Sequence, residues 1–96
     1  MQENEEIVLK TFVGLRTPAK NTVEGIINTL NKDNYNVSTM IARGRAISIA
    51  IDMLEMLKRK LMFKSVNITS NTIEMLNSEG FKSNVSEMII KIVLVV

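Results

Sequence analysis

Cysteine and histidine are both missing from this chain of 96 residues, and proline occurs only once. Without cysteine or histidine the chain can form no disulfide, no thiolate nucleophile and no Cys/His zinc site, and it lacks the usual general base near neutral pH. We therefore expect a protein that is not an enzyme and needs no cofactor or metal. The length predicts a single domain, small enough for oligomerisation to add to its stability.

Long hydrophobic runs are missing too, since the longest uninterrupted apolar stretch, residues 92–96, is far too short to span a bilayer. The N-terminus starts acidic, unlike a secretory signal, so we expect an intracellular protein of chromatin, nucleus or cytoplasm. Three glutamates fall within residues 1–6, which we predict to be a disordered acidic tail. The remaining domain, residues 7–96, carries 12 cations and seven anions. Such a basic surface favours nucleic acid or an anionic membrane as partner.

The first half of the chain reads as strand, helix, strand. Residues 7–13 are rich in β-branched and aromatic side chains and end at a glycine, which predicts the first strand. Thr17 at the cap and Pro18 at the first helical position predict a helix that runs to about Lys32. Residues 37–42 then predict a short second strand.

The second half predicts a helix over residues 46–60 and then a hairpin. Apolar and polar residues alternate through residues 66–75. One face of a final strand is lined by Met88, Ile90, Ile92, Leu94 and Val96. Between them the polar residues 76–84, centred on Gly80, predict a long tip. The result is an α/β sandwich of order β-α-β-α-β-β, with a mixed four-stranded sheet, both helices on one face and a long terminal hairpin.

The second helix has more apolar side chains than one face requires. The stripe expected to pack on the sheet consists of Ile47, Ala50, Ile51, Leu54, Leu57 and Leu61. A second stripe of Ile49, Met53 and Met56 has two explanations, wider burial within the same chain or a homodimer interface. The last strand favours the dimer, because the second face of that strand is also partly apolar. The predicted dimer interface consists of Ile49, Met53, Met56, Lys60, Ile89 and Val93.

Arg43, Gly44 and Arg45 lie at the turn into the second helix. The free backbone N–H groups and the positive end of a helix dipole favour an anion at this position. Arginine supplies forked donors suited to phosphate, and glycine lets the backbone come close. The alternative is that one arginine only pairs with a carboxylate such as Asp52 or Glu55.

Residues 42–60, which begin "ARGRAIS" and continue with Ala50, Asp52 and Glu55, resemble the Alba family. These are small dimeric nucleic-acid-binding proteins of archaeal chromatin, with eukaryotic relatives that include RNA-binding proteins and subunits of ribonucleases P and MRP. A weaker likeness covers residues 12–30 and the terminal hairpin. The resemblance implies the β-α-β-α-β-β fold and a symmetric dimer built with the second helix and the last strands. It also implies a nucleic-acid surface formed by the loop before the first helix, the arginine turn and the hairpin.

Residue by residue, the resemblance assigns this surface as follows. The pair before the proline, commonly two lysines in archaeal members, falls on Arg16 and Thr17, and the hairpin-tip cation falls on Lys82. Phe81 either stacks on an unpaired base or folds back as an apolar plug on the hairpin or a neighbouring dimer. The whole predicted surface consists of Arg16, Thr17, Lys20, Asn21, Arg43, Gly44, Arg45, Phe81 and Lys82.

The leading hypothesis is therefore a homodimer that packages DNA or RNA through salt-sensitive, largely sequence-independent phosphate contacts. Membranes and small-molecule substrates are not expected as partners. The alternative hypothesis is a subunit of a ribonuclease P- or MRP-like particle, paired as a heterodimer with another Alba-like chain. A third hypothesis, a small enzyme using Asp52 or Glu55, is disfavoured because simple ion pairing accounts for both residues.

Overall fold

The computed structural model describes residues 5–95, which contain four strands and two helices. In chain order these are β1 (Val8–Phe12), α1 (Ala19–Lys32), β2 (Val37–Arg43), α2 (Ala46–Lys60), β3 (Phe63–Leu76) and β4 (Lys82–Leu94). The sheet order is β1-β2-β4-β3, with β1 and β2 parallel and the other pairs antiparallel. The predicted element order and fold class are confirmed.

One face of the sheet carries both helices. Ile90, Ile92 and Leu94 of β4 are buried in a single core cluster with the apolar faces of α1 and α2. Ile89 and Val93, which alternate with them, are only half-buried. Side chains along a strand point to alternate faces, so Ile89 and Val93 lie on the face opposite Ile90 and Ile92. Both helices of residues 5–95 pack on the face of Ile90 and Ile92. Neither helix within residues 5–95 combines the length and the apolar character needed to cross a lipid bilayer.

α2 lies on the sheet in a different rotation from the predicted one. Met53, which was assigned to the outer stripe, is fully buried with Ala50 and Leu57, whereas Ile51, assigned to the sheet-facing stripe, is 43% exposed. The reason is that α2 packs against α1 as well as the sheet, so its buried arc is wider than that of a lone surface helix. Met53 therefore cannot contact a partner chain, and burial within the same chain is the correct explanation for this residue.

The hairpin has longer strands and a shorter tip than predicted. β3 and β4 remain paired as far as Leu76 and Lys82, so the tip is residues 77–81 instead of 76–84. Residues 82–84 had the polar composition of a loop. They are polar because this part of the hairpin is exposed to solvent, not because it lacks strand structure.

Two residues of the predicted disordered tail contact the domain. The carbonyl oxygen of Glu5 accepts a hydrogen bond from Asn36 Nδ2 at 2.9 Å, and the carboxylate of Glu6 lies 3.0 Å from Lys91 Nζ. Asn36 Oδ1 also accepts a hydrogen bond from the Ile7 backbone N–H at 2.7 Å. Glu5 and Glu6 therefore belong to the folded domain. The rest of the predicted tail, residues 1–4, lies outside the described residues.

Candidate nucleic-acid interface

Both helices begin at the same end of the sheet. β1 and β2 are parallel and each is followed in the chain by a helix, so the N-terminal ends of α1 and α2 meet at one edge. In the described structure the first turn of each helix contains no acidic residue, and no side chain caps either end. The positive ends of two helix dipoles are therefore left without a protein anion to complement them.

The start of α1 differs by one residue from the prediction. Pro18 is the N-cap residue and the helix starts at Ala19, so Thr17 is not the cap. The Pro18 carbonyl accepts hydrogen bonds from the N–H groups of Asn21 and Thr22, at 3.0 and 3.2 Å. Thr17 lies in the loop before the helix with its side chain exposed.

An open cleft of about 490 Å³ at this edge brings Arg16 and Arg43 together. Arg16 comes from the β1–α1 loop and Arg43 from the end of β2, so the parallel pairing of the two strands makes them neighbours. The cleft is lined by Phe12, Val13, Gly14, Leu15, Arg16, Thr17, Ile41, Arg43 and Ala46. Two arginines thus line a cleft whose other residues are mainly apolar.

Arg43 is held in place by an ion pair across the sheet. Its Nε donates to Glu87 Oε2 at 2.9 Å, and Glu87 lies directly opposite on β4. The Glu87 side chain is only 12% exposed, whereas that of Arg43 is 45% exposed. A guanidinium has five N–H donors, so Arg43 can bind an anion while it keeps this bond. The carboxylate partner is neither Asp52 nor Glu55, and Glu55 pairs instead with Lys58 at 3.4 Å.

Gly44 is required by the geometry of the turn. Its φ of +56° lies in the left-handed region that favours glycine, and its N–H donates to the Ser86 carbonyl at 2.8 Å. That N–H is already bonded to β4, so it does not provide the free backbone donor expected for a phosphate. Arg45, which follows as the N-cap residue of α2, is exposed.

Lys20 and Asn21 lie in the first turn of α1 and are both exposed. They belong to the same end of the sheet as the cleft but do not line it. Arg16, Lys20 and Arg45 are thus exposed cations around the two helix starts. The predicted loop and turn residues therefore share one basic surface.

Phe81 and Lys82 lie at the hairpin tip, away from the cleft. β2 ends opposite Glu87, and the arm continues five residues further to Lys82, roughly 17 Å at about 3.3 Å per residue. Asn77 Oδ1 accepts the N–H of Phe81 at 2.9 Å and so fixes the tip. Phe81 is 67% exposed and does not fold back on the hairpin, while Lys82 lies 3.6 Å from Glu74. Within one chain the tip and the cleft are therefore separate sites.

Two apolar residues of the cleft were missed by the sequence reasoning. Phe12 is 65% exposed and Leu15 is 53% exposed, and both line the cleft beside the arginines. Leu9 and Val13 pack against the core. Strand alternation therefore places Phe12 on the opposite face, which is the signal that could have revealed it.

The residues predicted for a dimer interface do not form one continuous surface. Lys60 lines a groove with residues of α1, and Met56, one turn before it, packs against the core together with Ile49. This side of α2 therefore faces α1. Ile89 and Val93 lie on the opposite face of the sheet from the helices.

The chain matches the Alba family model over residues 4–74. The chain belongs to the Alba family. Among solved structures it is similar to Alba from Thermoplasma volcanium, with 28% sequence identity and a TM-score of 0.71 over 88% of this chain and 99% of that chain. Among curated proteins no significant match is found. The Alba family model ends within β3, so it does not reach the assignments made at the hairpin tip.

Proposed function

We propose that this Alba-family chain is a dimeric nucleic-acid-binding protein of the chromatin- or RNA-packaging type, which holds the phosphate backbone at the arginine cleft. The observation that carries the proposal is the meeting of Arg16 and Arg43 beside two helix starts whose first turns lack acidic residues. Helix N-termini and arginine forks both favour phosphate. Because phosphate contacts carry no base information, binding is largely independent of sequence.

A second copy of the chain is the proposed dimer partner, and the edge strand β3 supports this. β3 is 14 residues long and forms one edge of the sheet. Val66 and Ile68 are 37% and 48% exposed and pair with Ile92 and Ile90, which places them on the helix-bearing face. Long apolar edge strands are normally covered, because they otherwise recruit other chains.

Ile51 of α2 is the proposed continuation of this apolar edge. It is 43% exposed and lies on the flank of the helix away from Met56 and Lys60, which face α1. Two copies related by a two-fold axis can cover the same patch on each other. The proposed interface therefore uses Ile51, Val66 and Ile68 in place of the stripe that contained Met53. The dimer then presents two arginine clefts and two hairpin arms to one nucleic acid.

The test of binding replaces Arg16 and Arg45 by glutamine and leaves the Arg43–Glu87 pair intact. The logarithm of the binding constant for a duplex falls with the logarithm of the salt concentration, with a slope of about 0.9 per phosphate contact. A dimer that loses four arginines, each contacting one phosphate, should therefore have a slope smaller by about 3.6. Fluorescence anisotropy of a labelled DNA duplex over a series of salt concentrations measures the slope.

The matched control is Lys58→Gln with Arg59→Gln, which removes the same charge from the other end of α2. The control should keep the wild-type slope. If both double variants reduce the slope equally, the binding comes from diffuse basic charge and not from the arginines at the two helix starts.

A further inference from the structure

Phe12 is an exposed aromatic side chain that the packing of the domain does not explain. It lies at the end of β1 and is 65% exposed, although it belongs to a strand whose alternate residues Leu9 and Val13 pack against the core. Phe12 also lines the cleft that contains Arg16 and Arg43. A large apolar ring is thus held open to solvent in a cleft that two arginines also line.

The strand register places cations on both sides of this ring. Phe12 pairs with Ile41, and Arg43 follows Ile41 by two residues, on the same face of the sheet. Lys10 precedes Phe12 by two residues on that face as well and is exposed. Two residues of a strand span roughly 6.6 Å. The ring therefore lies between positive charges along the strand direction, on the sheet face opposite α1 and α2.

We propose that Phe12 is a stacking platform for an unpaired base, and that Arg16 and Arg43 hold the adjacent phosphates of a single-stranded segment. This inference rests on the proposed nucleic-acid binding and adds the residue that contacts the bases. Aromatic rings stack on bases only when the bases are free of the duplex stack, and such stacking tolerates any sequence. The platform therefore makes the cleft favour single-stranded over duplex nucleic acid, which phosphate contacts alone do not do.

Replacement of Phe12 tests the platform. Phe12→Leu keeps an apolar side chain but removes the ring, so affinity for a single-stranded RNA oligonucleotide should fall about 5- to 100-fold while affinity for its duplex stays the same. Val8→Ala is the matched control, because Val8 is on the same strand and face and is 42% exposed. This control should leave both affinities unchanged, and thermal unfolding should show that all variants fold.

Phe12→Trp reports directly on the contact between this side chain and the oligonucleotide. The chain contains no tryptophan, so the new indole is the only one in the protein. Its fluorescence should be quenched when the single-stranded oligonucleotide saturates the protein. Unchanged fluorescence at saturation, or unchanged single-strand affinity in Phe12→Leu, would overturn the assignment. Loss of single-strand affinity in Phe81→Leu but not in Phe12→Leu would also overturn it and would place the stacking at the hairpin tip.

The wild-type protein separates this inference from the proposed function. If the wild-type protein binds the duplex but not the single strand, the stacking platform is overturned, whereas the proposal of phosphate binding at the arginine cleft is retained. Wild-type binding to neither probe at low salt would overturn both.

Discussion

Replacing Ile51 and Ile68 together by serine tests the proposed dimer interface. Both side chains are partly open in the single chain, at 43% and 48% exposure, so the double variant should still fold. One residue lies on α2 and the other on the edge strand β3. A dimer interface that buries both isoleucine side chains should be weakened when serine replaces them.

The magnitude follows from the area still exposed. Full burial of an isoleucine side chain contributes about 1.5 to 3 kcal/mol, and somewhat under half of each side chain remains to be buried, which gives roughly 1 kcal/mol per residue. Two residues in each of two copies then contribute roughly 4 kcal/mol. The dissociation constant of the dimer should rise by about 10³-fold.

Sedimentation equilibrium over a series of protein concentrations measures that constant, and circular dichroism checks that the variant is folded. Val8→Ser is the control, because Val8 is 42% exposed but lies on β1, at the other edge of the sheet. An unchanged dissociation constant in the folded double variant would refute the reasoning. A wild-type chain that is monomeric at every concentration would instead favour a heterodimer with another Alba-like chain.

Two further predictions concern stability at a fixed protein concentration. Arg43→Gln should lower the free energy of unfolding by about 1 to 2 kcal/mol, because the largely buried Glu87 carboxylate loses its charged donor. Urea unfolding should show that the added change Glu87→Gln restores most of this loss, and a double variant no more stable than the single one would contradict the ion pair. At a protein concentration well below the dissociation constant of the dimer, Met53→Ala should cost about 2 to 4 kcal/mol and Ile51→Ala less than about 1 kcal/mol. The reverse order in urea unfolding would contradict the rotation of α2.

The order of the elements could be predicted because it depends on local periodicity. Apolar residues repeat at helical spacing in residues 46–60, and the predicted and observed bounds of that helix agree. The hairpin strands alternate with period two, so they too were found, with errors only at their ends. Where a strand leaves the core, as in residues 82–84, both faces are polar and the alternation disappears.

Part of the candidate site was also readable from local sequence. The turn of Arg43, Gly44 and Arg45 was predicted to lie between a strand and a helix, and in the structure it joins the end of β2 to the start of α2. The partner of Arg43 was not readable, because Glu87 is far away in the sequence and only the β2–β4 register brings it opposite. Phe12 was missed for a similar reason, since its place beside Arg43 depends on the β1–β2 register.

The sequence by itself thus determined the secondary-structure order, the arginine turn and the likeness to the Alba family, because each is set by residues close together in the chain. Tertiary structure alone decided that Met53 is buried while Ile51 is not, and that Glu87 holds Arg43. Only the packed helices and the strand register set which side of α2 faces inward and which residues meet across the sheet. Those contacts join residues that are distant in the chain, so local periodicity cannot predict them.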